Sequence, residues 1–267
     1  MKAGELEKRL DGMGVSVWVS SAWDREYVGA QLDGTDLVLT VGGDGTILRT
    51  VQAVLPETPL IAGINLGKLG FMTELDAGEA VERLPELLDS GGWIDERAML
   101  QATLARAGRE PQIFHALNDV VVARGEVIRV ISVEVRVDGQ YVKTYRTDGV
   151  IAATATGSTG YALAAGGPIL HPQSGNFLLV PIAPHLGTSY ALVLPETAEL
   201  ELRVQTFHAA TLSIDGHINH ALTSGDTITV KRSPCTARFL RVRDRESFYS
   251  CLEEKLKGKQ GGQSREG

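Results

Sequence analysis

The stretch that decides the fold is LVLTVGGDGTILRTV, residues 37–51. Its first five residues form an apolar run typical of a buried strand, and residues 47–51 have the apolar spacing of a helix. The glycine-rich segment between them predicts a turn that leads from a strand into a helix. Free backbone N–H groups and the positive helix end make such a turn suitable for an anionic phosphate.

One carboxylate, Asp44, stands inside this turn. A site that only held phosphate would not carry negative charge there, so we expect Asp44 to do chemistry or to hold a cation. The alternative is an ordinary turn, in which glycines supply positive φ and Asp44 accepts local backbone hydrogen bonds. A short Gly-rich match is weak evidence without its context, and here the flanking strand and helix are both present.

Composition restricts the class of protein. The 267 residues are enough for two medium-sized domains, and we predict two. The net charge of -7 argues against a nucleic-acid partner, because nucleic-acid binders carry a basic face. The two cysteines, Cys235 and Cys251, have no neighbours at zinc-finger spacing. We therefore expect reduced thiols and a cytoplasmic location.

We expect no membrane partner. Residues 1–11 are charged throughout, unlike a secretory signal peptide. Residues 149–170 carry no charge, but their glycines and Pro168 argue against a continuous membrane-spanning helix.

Strands alternate with helices in residues 1–95, which predicts an α/β domain with a parallel, doubly wound sheet. A second glycine-rich loop, Asn65-Leu66-Gly67-Lys68-Leu69-Gly70, follows the third strand, at the kind of sheet edge where ligands collect. We interpret the adjoining Phe71 and Met72 as core residues. The predicted helices cover 3–11, 47–55 and 78–90, and the predicted strands cover 15–19, 37–41 and 60–64.

Residues 96–244 predict a β-rich, sandwich-like domain of short alternating strands. Asp138-Gly139 predicts a hairpin, and Asp215-Gly216 marks another turn. Residues 245–257 predict an amphipathic helix, and the tail 258–267 is predicted to be disordered. The predicted strands are 98–106, 112–123, 130–137, 141–145, 149–154, 191–194, 199–204, 210–214, 227–231 and 237–241.

Three polar segments of this second domain are candidates for a binding site. Asn118-Asp119 interrupts an apolar strand, and an adenine or ribose edge would satisfy these side chains, as would an internal polar pair. Arg146 and Asp148 share one face of an extended chain, in a site or in a surface ion pair. The segment 154–161 combines four Ser or Thr hydroxyl side chains with two glycines, which suits sugar hydroxyls or phosphates.

Together these motifs resemble the NAD kinase family. The resemblance is collinear over residues 35–256, and only its first motif is shared with lipid kinases and, more loosely, with phosphofructokinases. The matching motifs are Gly42-Gly43-Asp44-Gly45-Thr46, Asn65-x-Gly67-x-x-Gly70-Phe71, Asn118-Asp119, Asp148-Gly149, Thr156-Gly157-Ser158-Thr159-x-Tyr161, Gly166-Gly167-Pro168 and Asp215-Gly216.

The resemblance implies phosphoryl transfer from ATP to the adenosine ribose 2′-hydroxyl of NAD, giving NADP and ADP with a divalent metal, for which we expect Mg²⁺. It implies an active site between the two domains, a helix 245–257 that returns to the first domain, and a homodimer or homotetramer. Two alternatives stay open. One is a lipid or other small-molecule kinase that shares the GGDGT motif, and the other is a catalytically silent dinucleotide-binding module.

Carried over onto this sequence, the family's proton acceptor corresponds to Asp44, for which a metal-binding role is also open. No metal ligand is otherwise assigned. The family begins with a strand ahead of its first helix, so we expect the natural chain to start earlier. The expected phosphate-binding residues are Gly42, Gly43, Gly45 and Thr46. The expected NAD-binding residues are Asp44, Gly45, Arg49, Asn118, Asp119, Arg129, Arg146, Asp148, Thr159, Gly160, Tyr161, Ala162, Leu163, Ala164 and His217.

Overall fold

The computed structural model describes residues 2–67, 70–89, 92–125, 129–185, 190–243, 248–249, 252–253 and 255–256. The chain forms two compact units. The first consists of residues 1–96 and 237–267, and the second of residues 97–236. The chain therefore leaves the first unit once and returns to it near its C-terminus.

The helices and strands alternate in the first part of the chain and are nearly all strands afterwards. In chain order they are α1 (Lys2–Gly12), α2 (Arg25–Gln31), β1 (Leu37–Val41), α3 (Asp44–Val54), β2 (Leu60–Asn65), β3 (Leu75–Asp76), α4 (Ala80–Leu88), β4 (Trp93–Ala105), β5 (Gln112–Ala116), β6 (Asp119–Arg124), β7 (Ile131–Val137), β8 (Gln140–Thr147), β9 (Gly149–Ala153), a 3₁₀ turn (Gly157–Thr159), α5 (Tyr161–Ala164), β10 (Phe177–Ile182), β11 (Leu192–Leu194), β12 (Leu200–Gln205), β13 (Ala210–Ile214), β14 (Ile218–Leu222) and β15 (Thr227–Arg241).

The first unit is built on a parallel sheet. Strand β2 pairs in parallel with β1, with β3 and with the end of β15. Helices α1 and α4 place leucines on the sheet, because Leu6, Leu10 and Leu84 share one buried cluster with the β2 residues Ala62 and Ile64. The parallel pairing and the helical cover confirm the predicted α/β class.

The prediction of a strand over residues 15–19 is wrong. No residue from 15 to 19 belongs to a strand, although Val15 and Val17 are partly buried against the α1–α4 cluster. The alternation of apolar residues reflects one-sided packing, and among the described residues no strand pairs with this segment.

The second unit, which we call the β-rich unit, contains two layers of strands. Strand β12 pairs antiparallel with β7 and with the first part of β15, and β7 pairs with β8. The other layer is a six-stranded sheet in the order β11-β10-β9-β6-β13-β14. Val133 and Leu202 of the first layer share one buried core with Val122, Leu179 and Leu212 of the second. This arrangement confirms the predicted sandwich-like, β-rich class.

Several strand predictions in this unit need correction. The single strand expected over 112–123 is two strands, β5 and β6, and the two strands expected at 227–231 and 237–241 are one continuous strand. Strands β10 and β14 were not predicted. Pro181 lies inside β10 opposite Val150, and proline is ordinarily evidence against a central strand.

Much of the predicted C-terminal helix lies outside the described residues. Within 245–257, residues 248–249, 252–253 and 255–256 are described and are helical. The tail predicted to be disordered, 258–267, is outside the described residues. In the described part of the chain, no helix has both the length and the apolar character needed to cross a membrane.

Candidate active site

The GGDGT segment forms the connection between β1 and α3. Asp44 is the first residue of α3, and Gly43 caps that helix with extended dihedrals, φ −98° and ψ −173°. Gly42 donates its N–H to the Ile64 carbonyl at 2.8 Å, and a Cβ atom on Gly42 would lie 2.2 Å from Thr46 Oγ1. The close approach of the Thr46 side chain therefore favours glycine at 42. The alternative of an ordinary turn with glycines at positive φ is wrong, because neither Gly42, Gly43 nor Gly45 has positive φ.

The Asp44 carboxylate is held by the loop that follows β2. Phe71 N–H donates to Asp44 Oδ2 at 3.0 Å, and Met72 N–H donates to Asp44 Oδ1 at 3.1 Å. Gly70 lies directly against this carboxylate, since a Cβ atom there would be 2.2 Å from Oδ1. Two N–H donors, one to each carboxylate oxygen, fix the orientation of the carboxylate. The two glycine-rich loops of the sequence thus meet at one acidic side chain.

The prediction of core positions for Phe71 and Met72 is confirmed for Met72, which is only 2% exposed, whereas Phe71 is half-buried. Their backbone N–H groups, however, bind Asp44. Reasoning from side-chain type misses this contribution, although the position of the loop beyond a parallel strand is a signal that could have found it.

In the β-rich unit, Asp215 organises the segment that contains Asn118 and Asp119. Its carboxylate accepts the N–H groups of Leu117, Asn118 and Asp119 at 3.0, 2.7 and 3.2 Å. Asp215 has a positive φ of 50°, and its own N–H donates to the Asp119 carbonyl at 3.0 Å. The sequence marked Asp215-Gly216 as a turn but did not assign Asp215 a role.

Asp119 occupies a site that disfavours its charge. Burial and, after it, the charge of Asp215 together raise the pKa of Asp119 from 3.8 to about 7. Asn118 Oδ1 is buried and, within the part of the chain that the structure describes, has no hydrogen-bond partner. An unpaired buried acceptor is costly, so this oxygen suits a donor on a ligand.

The hydroxyl-rich segment packs against Asn118, and the hydroxyl groups of Thr154 and Ser158 donate hydrogen bonds to backbone carbonyls of the protein. Thr154 N–H donates to the Asn118 carbonyl at 2.9 Å, and Thr154 Oγ1 donates to the Leu117 carbonyl at 2.6 Å. Ser158 Oγ donates to the Ala155 carbonyl at 2.6 Å. The hydroxyl protons of Thr154 and Ser158 thus fix the shape of the loop, and the expectation that the segment serves sugar hydroxyls or phosphates stays a prediction.

The residues after Ser158 form the 3₁₀ turn and the short helix α5. Thr159 Oγ1 donates to the Thr156 carbonyl at 3.3 Å, and Gly160 N–H donates to the Gly157 carbonyl at 2.9 Å. Tyr161 is 47% exposed at the start of α5. The remaining predicted contacts here are Ala162, which is buried, Leu163, which is half-buried, and Ala164, which is exposed.

Asp148 and the predicted arginine contacts have different surroundings. Asp148 pairs with Arg124, with Nη2 and Oδ2 3.0 Å apart, rather than forming the surface pair with Arg146 considered from the sequence. Arg146 and Arg129 are exposed. Sequence reasoning missed Arg124, which stands at the end of β6 and is brought to Asp148 by the pairing of β6 with β9.

Two further residues predicted to bind NAD, His217 and Arg49, contact neighbouring residues of the protein. His217 Nδ1 lies 3.0 Å from the carbonyl oxygen of Asp215, in the same turn that organises Asn118. In the first unit, the Arg49 guanidinium stacks over the ring of Trp23, 3.5 Å from its centroid. The roles of all these residues toward NAD stay predictions.

The described residues contain no cluster of three or more His, Cys, Asp or Glu side chains that could hold a metal ion. Mg²⁺ is commonly bound by one or two carboxylates together with substrate phosphates and water, and does not require such a cluster. Asp44, at the start of α3, offers one carboxylate beside a helix N-terminus of the kind that binds phosphates. The residues present therefore fit that mode of binding.

Two family models match this chain. The ATP-NAD kinase N-terminal domain matches residues 1–92, and the ATP-NAD kinase C-terminal domain matches residues 117–242. Their order along the chain is that of the α/β part followed by the β-rich part.

Full-length relatives and solved structures agree with these models. An NAD kinase from Dehalococcoides mccartyi is 48% identical over 255 residues, which are 95% of this chain and 90% of the relative. One from Chloroflexus aurantiacus is 41% identical over 83% of this chain and 80% of its own. The crystal structure of an Archaeoglobus fulgidus NAD kinase in complex with ATP has a TM-score of 0.78 and 28% identity, covering 96% of this chain and 94% of that one. Yeast NADH kinase complexed with NADH has a TM-score of 0.77 and 29% identity, covering 87% and 68%. From its motifs, both domain models and these relatives, the chain belongs to the NAD kinase family.

Proposed function

We propose that this chain, a phosphotransferase, transfers a phosphoryl group from ATP to the adenosine ribose 2′-hydroxyl of NAD, forming NADP and ADP. The observation that carries the proposal is the Asp44 carboxylate at the first turn of α3, held by the N–H groups of Phe71 and Met72. The relatives named NAD kinase support the choice of acceptor, and the relative solved with ATP supports the donor.

Asp44 serves as the proton acceptor in this reaction. The ribose oxygen forms a bond to phosphorus as the bond to the ADP oxygen breaks, and the 2′-hydroxyl proton passes to the Asp44 carboxylate. A positioned general base contributes about 10²- to 10⁴-fold to rate. The two N–H donors keep the carboxylate oriented before the substrate arrives, which reduces the reorganisation needed during the reaction.

The GGDGT turn binds phosphate in this scheme. Gly43 and Gly45 are exposed, so the backbone of the first helical turn is open to a ligand. Phosphoryl transfer requires mainly that donor and acceptor are aligned and that negative charge is stabilised. The N-terminus of α3 and the turn residues, Gly42, Gly43, Gly45 and Thr46, supply that stabilisation.

The β-rich unit binds the dinucleotide in this scheme. Asn118 Oδ1, buried and without a partner among the described residues, accepts a hydrogen bond from the adenosine part. Asp119 lies beside it and is held through Asp215. The further contacts are those expected from the sequence: Arg129, Arg146, Asp148, Thr159, Gly160, Tyr161, Ala162, Leu163, Ala164 and His217, with Gly45 and Arg49 from the first unit.

A divalent metal bound with ATP, Mg²⁺ in this proposal, would neutralise phosphate charge. Asp44 is the carboxylate of this site that can contact it. We also propose a cytoplasmic homo-oligomer, a dimer or tetramer. The free thiol of Cys235 fits a reducing compartment.

The experiment that tests this function is a coupled assay of NADP formation with the purified chain, Mg²⁺ and several phosphate donors. We expect NADP and ADP to form in equal amounts from NAD and ATP. A chain that binds NAD by calorimetry without forming NADP would support the silent binding module. ATP consumption with diacylglycerol or sphingoid bases in place of NAD would support the lipid kinase, which the named relatives do not favour.

A further inference from the structure

A buried arginine lies between two buried carboxylates at the end of β15 in the α/β unit. Arg241 is 6% exposed, and Asp95 and Glu74 are 3% and 5% exposed. Arg241 Nε and Nη2 donate to Asp95 Oδ2 at 3.2 and 3.1 Å, and Nη1 lies 3.2 Å from Glu74 Oε2. The cost of removing these charges from water offsets much of their attraction, so a buried ion cluster is weak evidence for stability. The cluster also makes a hydrogen bond outside itself.

The same guanidinium reaches the loop that holds Asp44. Arg241 Nη1 donates to the Met72 carbonyl at 2.8 Å, while the Met72 N–H donates to Asp44 Oδ1 at 3.1 Å. Met72 is thus bound on one side to the buried cation and on the other to the carboxylate of the site. A hydrogen bond from a charged donor is stronger than one from a neutral donor.

The strand end that carries Arg241 is itself fixed. Glu74 Oε1 accepts the N–H groups of Val242 and Arg243 at 2.9 and 2.7 Å, and Arg243 Nε donates to the Glu74 carbonyl at 2.9 Å. Trp93 Nε1 donates to the Arg243 carbonyl at 3.0 Å. These bonds leave the guanidinium little freedom to move away from Met72.

We propose that Arg241 is a positioning residue for phosphoryl transfer: through the Met72 carbonyl, it fixes the two backbone N–H groups that orient the Asp44 carboxylate. The proposal rests on the proposed function, in which that carboxylate takes the 2′-hydroxyl proton. It also explains why an arginine stands here. A guanidinium can donate to a carbonyl and to two carboxylates at once, whereas an ammonium on a flexible stem holds fewer fixed directions.

Two variants test the donor to Met72. The triple variant Arg241→Met, Glu74→Gln, Asp95→Asn removes it without leaving unpaired buried charge, and Arg241→Lys keeps a charged donor but loses the fixed directions of the fork. We expect kcat to fall about 10²-fold in the triple variant, because a misplacement of about 1 Å has that effect on a reacting group. For Arg241→Lys we expect a fall of about tenfold, since lysine does not replace a forked arginine. The KM values for NAD and ATP should stay within about twofold of the wild-type values. The change displaces the Asp44 carboxylate but leaves the contacts that bind the substrates unchanged.

A matched control exists in the β-rich unit. Arg106 also joins a carboxylate and a carbonyl, through Nε at 3.2 Å from Asp226 Oδ2 and through Nη2 to the Ala221 carbonyl. Neither partner is a predicted site residue. Arg106→Met should lower thermal stability while kcat stays within about twofold of wild type, because it removes a similar contact elsewhere in the fold.

Amide hydrogen exchange supplies a readout that does not depend on turnover. In Arg241→Lys we expect the Phe71 and Met72 amides to exchange about tenfold faster or more, because loss of local hydrogen bonds lowers local opening free energy. The same amides should exchange at the wild-type rate in Arg106→Met. Arg241→Lys and its exchange rates decide the proposal even where the triple variant does not fold.

The outcomes separate this inference from the proposed function. A wild-type chain that forms no NADP overturns the function. A wild-type chain that forms NADP, together with Arg241→Lys or triple variants that keep wild-type kcat, overturns the positioning role. A higher KM at unchanged kcat, or wild-type exchange at Phe71 and Met72 in Arg241→Lys, overturns it as well.

Discussion

Asp215 Oδ1 accepts the backbone N–H of Asp119 at 3.2 Å, so two buried acidic residues are neighbours in the β-rich unit. The two groups differ in their environment. Asp215 accepts three backbone N–H groups. Burial, followed by the charge of Asp215, raises the pKa of Asp119 to about 7. The two neighbours therefore have different roles: Asp215 binds backbone N–H groups, and the Asp119 carboxyl group has a pKa near neutrality.

The stability of the fold should depend on pH through the titration of Asp119. The pKa of Asp119 is about 7 in the fold and near 3.8 when the chain is unfolded, so the folded state binds more protons between these values. The contribution of Asp119 to the free energy of unfolding should therefore fall as pH rises from about 4 to about 7 and level off above 7, by on the order of 4 kcal/mol at most.

Asp119→Asn isolates this contribution, because the amide has nearly the same shape and does not titrate. Urea unfolding of both proteins at pH 5 and pH 8, followed by circular dichroism, measures it. We expect the variant to gain stability relative to wild type at pH 8 and to gain less at pH 5. The same difference at both pH values would contradict a raised pKa for Asp119.

Asp215→Asn should loosen the segment that carries Asn118. One amide oxygen can keep the bonds from Asn118 and Asp119, but the bond from Leu117 to Oδ2 is lost, at a cost of roughly 1–3 kcal/mol. Asparagine tolerates the positive φ of 50° at this position, so backbone strain does not confound the result.

The measurements for Asp215→Asn are thermal unfolding and the KM for NAD. We expect lower stability, a higher KM for NAD and an Asp119 titration that moves to lower pH, because a nearby negative charge has been removed. Unchanged affinity for NAD in a destabilised variant would limit Asp215 to a structural role.

The strand, turn and helix around Asp44 could be predicted because their signals are local: an apolar run, glycines and helical spacing within fifteen residues. Side-chain type does not predict the hydrogen bond from Met72 to Asp44 or those that Asp215 accepts, since each depends on backbone N–H groups that the fold brings from distant segments. Leu117 and Asp215 are 98 residues apart in sequence. The error at Val15 and Val17 has a related cause, because alternation shows which side chains are buried but not whether a partner strand exists.

Gly70→Ala should impair catalysis without altering any polar side chain. The new Cβ atom would lie 2.2 Å from Asp44 Oδ1, so the carboxylate or the loop must move. We expect kcat to fall about 10²-fold, because small displacements of a reacting group have large effects on rate. Gly67→Ala in the same loop is the matched control, since its Cβ would meet nothing within 4 Å. Equal kcat in the two variants would contradict the requirement for a fixed Asp44.

Asp44→Asn tests the proton acceptor itself. The amide cannot take the 2′-hydroxyl proton, and its nitrogen cannot accept the N–H of Phe71 or Met72, so one of the two orienting bonds is lost as well. We expect kcat to fall by about 10²- to 10⁴-fold, the range of a positioned general base. NAD binding, measured by calorimetry, should be retained. Gly70→Ala keeps the carboxylate but displaces it, so it should bind NAD equally well and keep more turnover than Asp44→Asn because a base is still present. An Asp44→Asn variant with near wild-type kcat would exclude both a base and a metal-binding role for this residue.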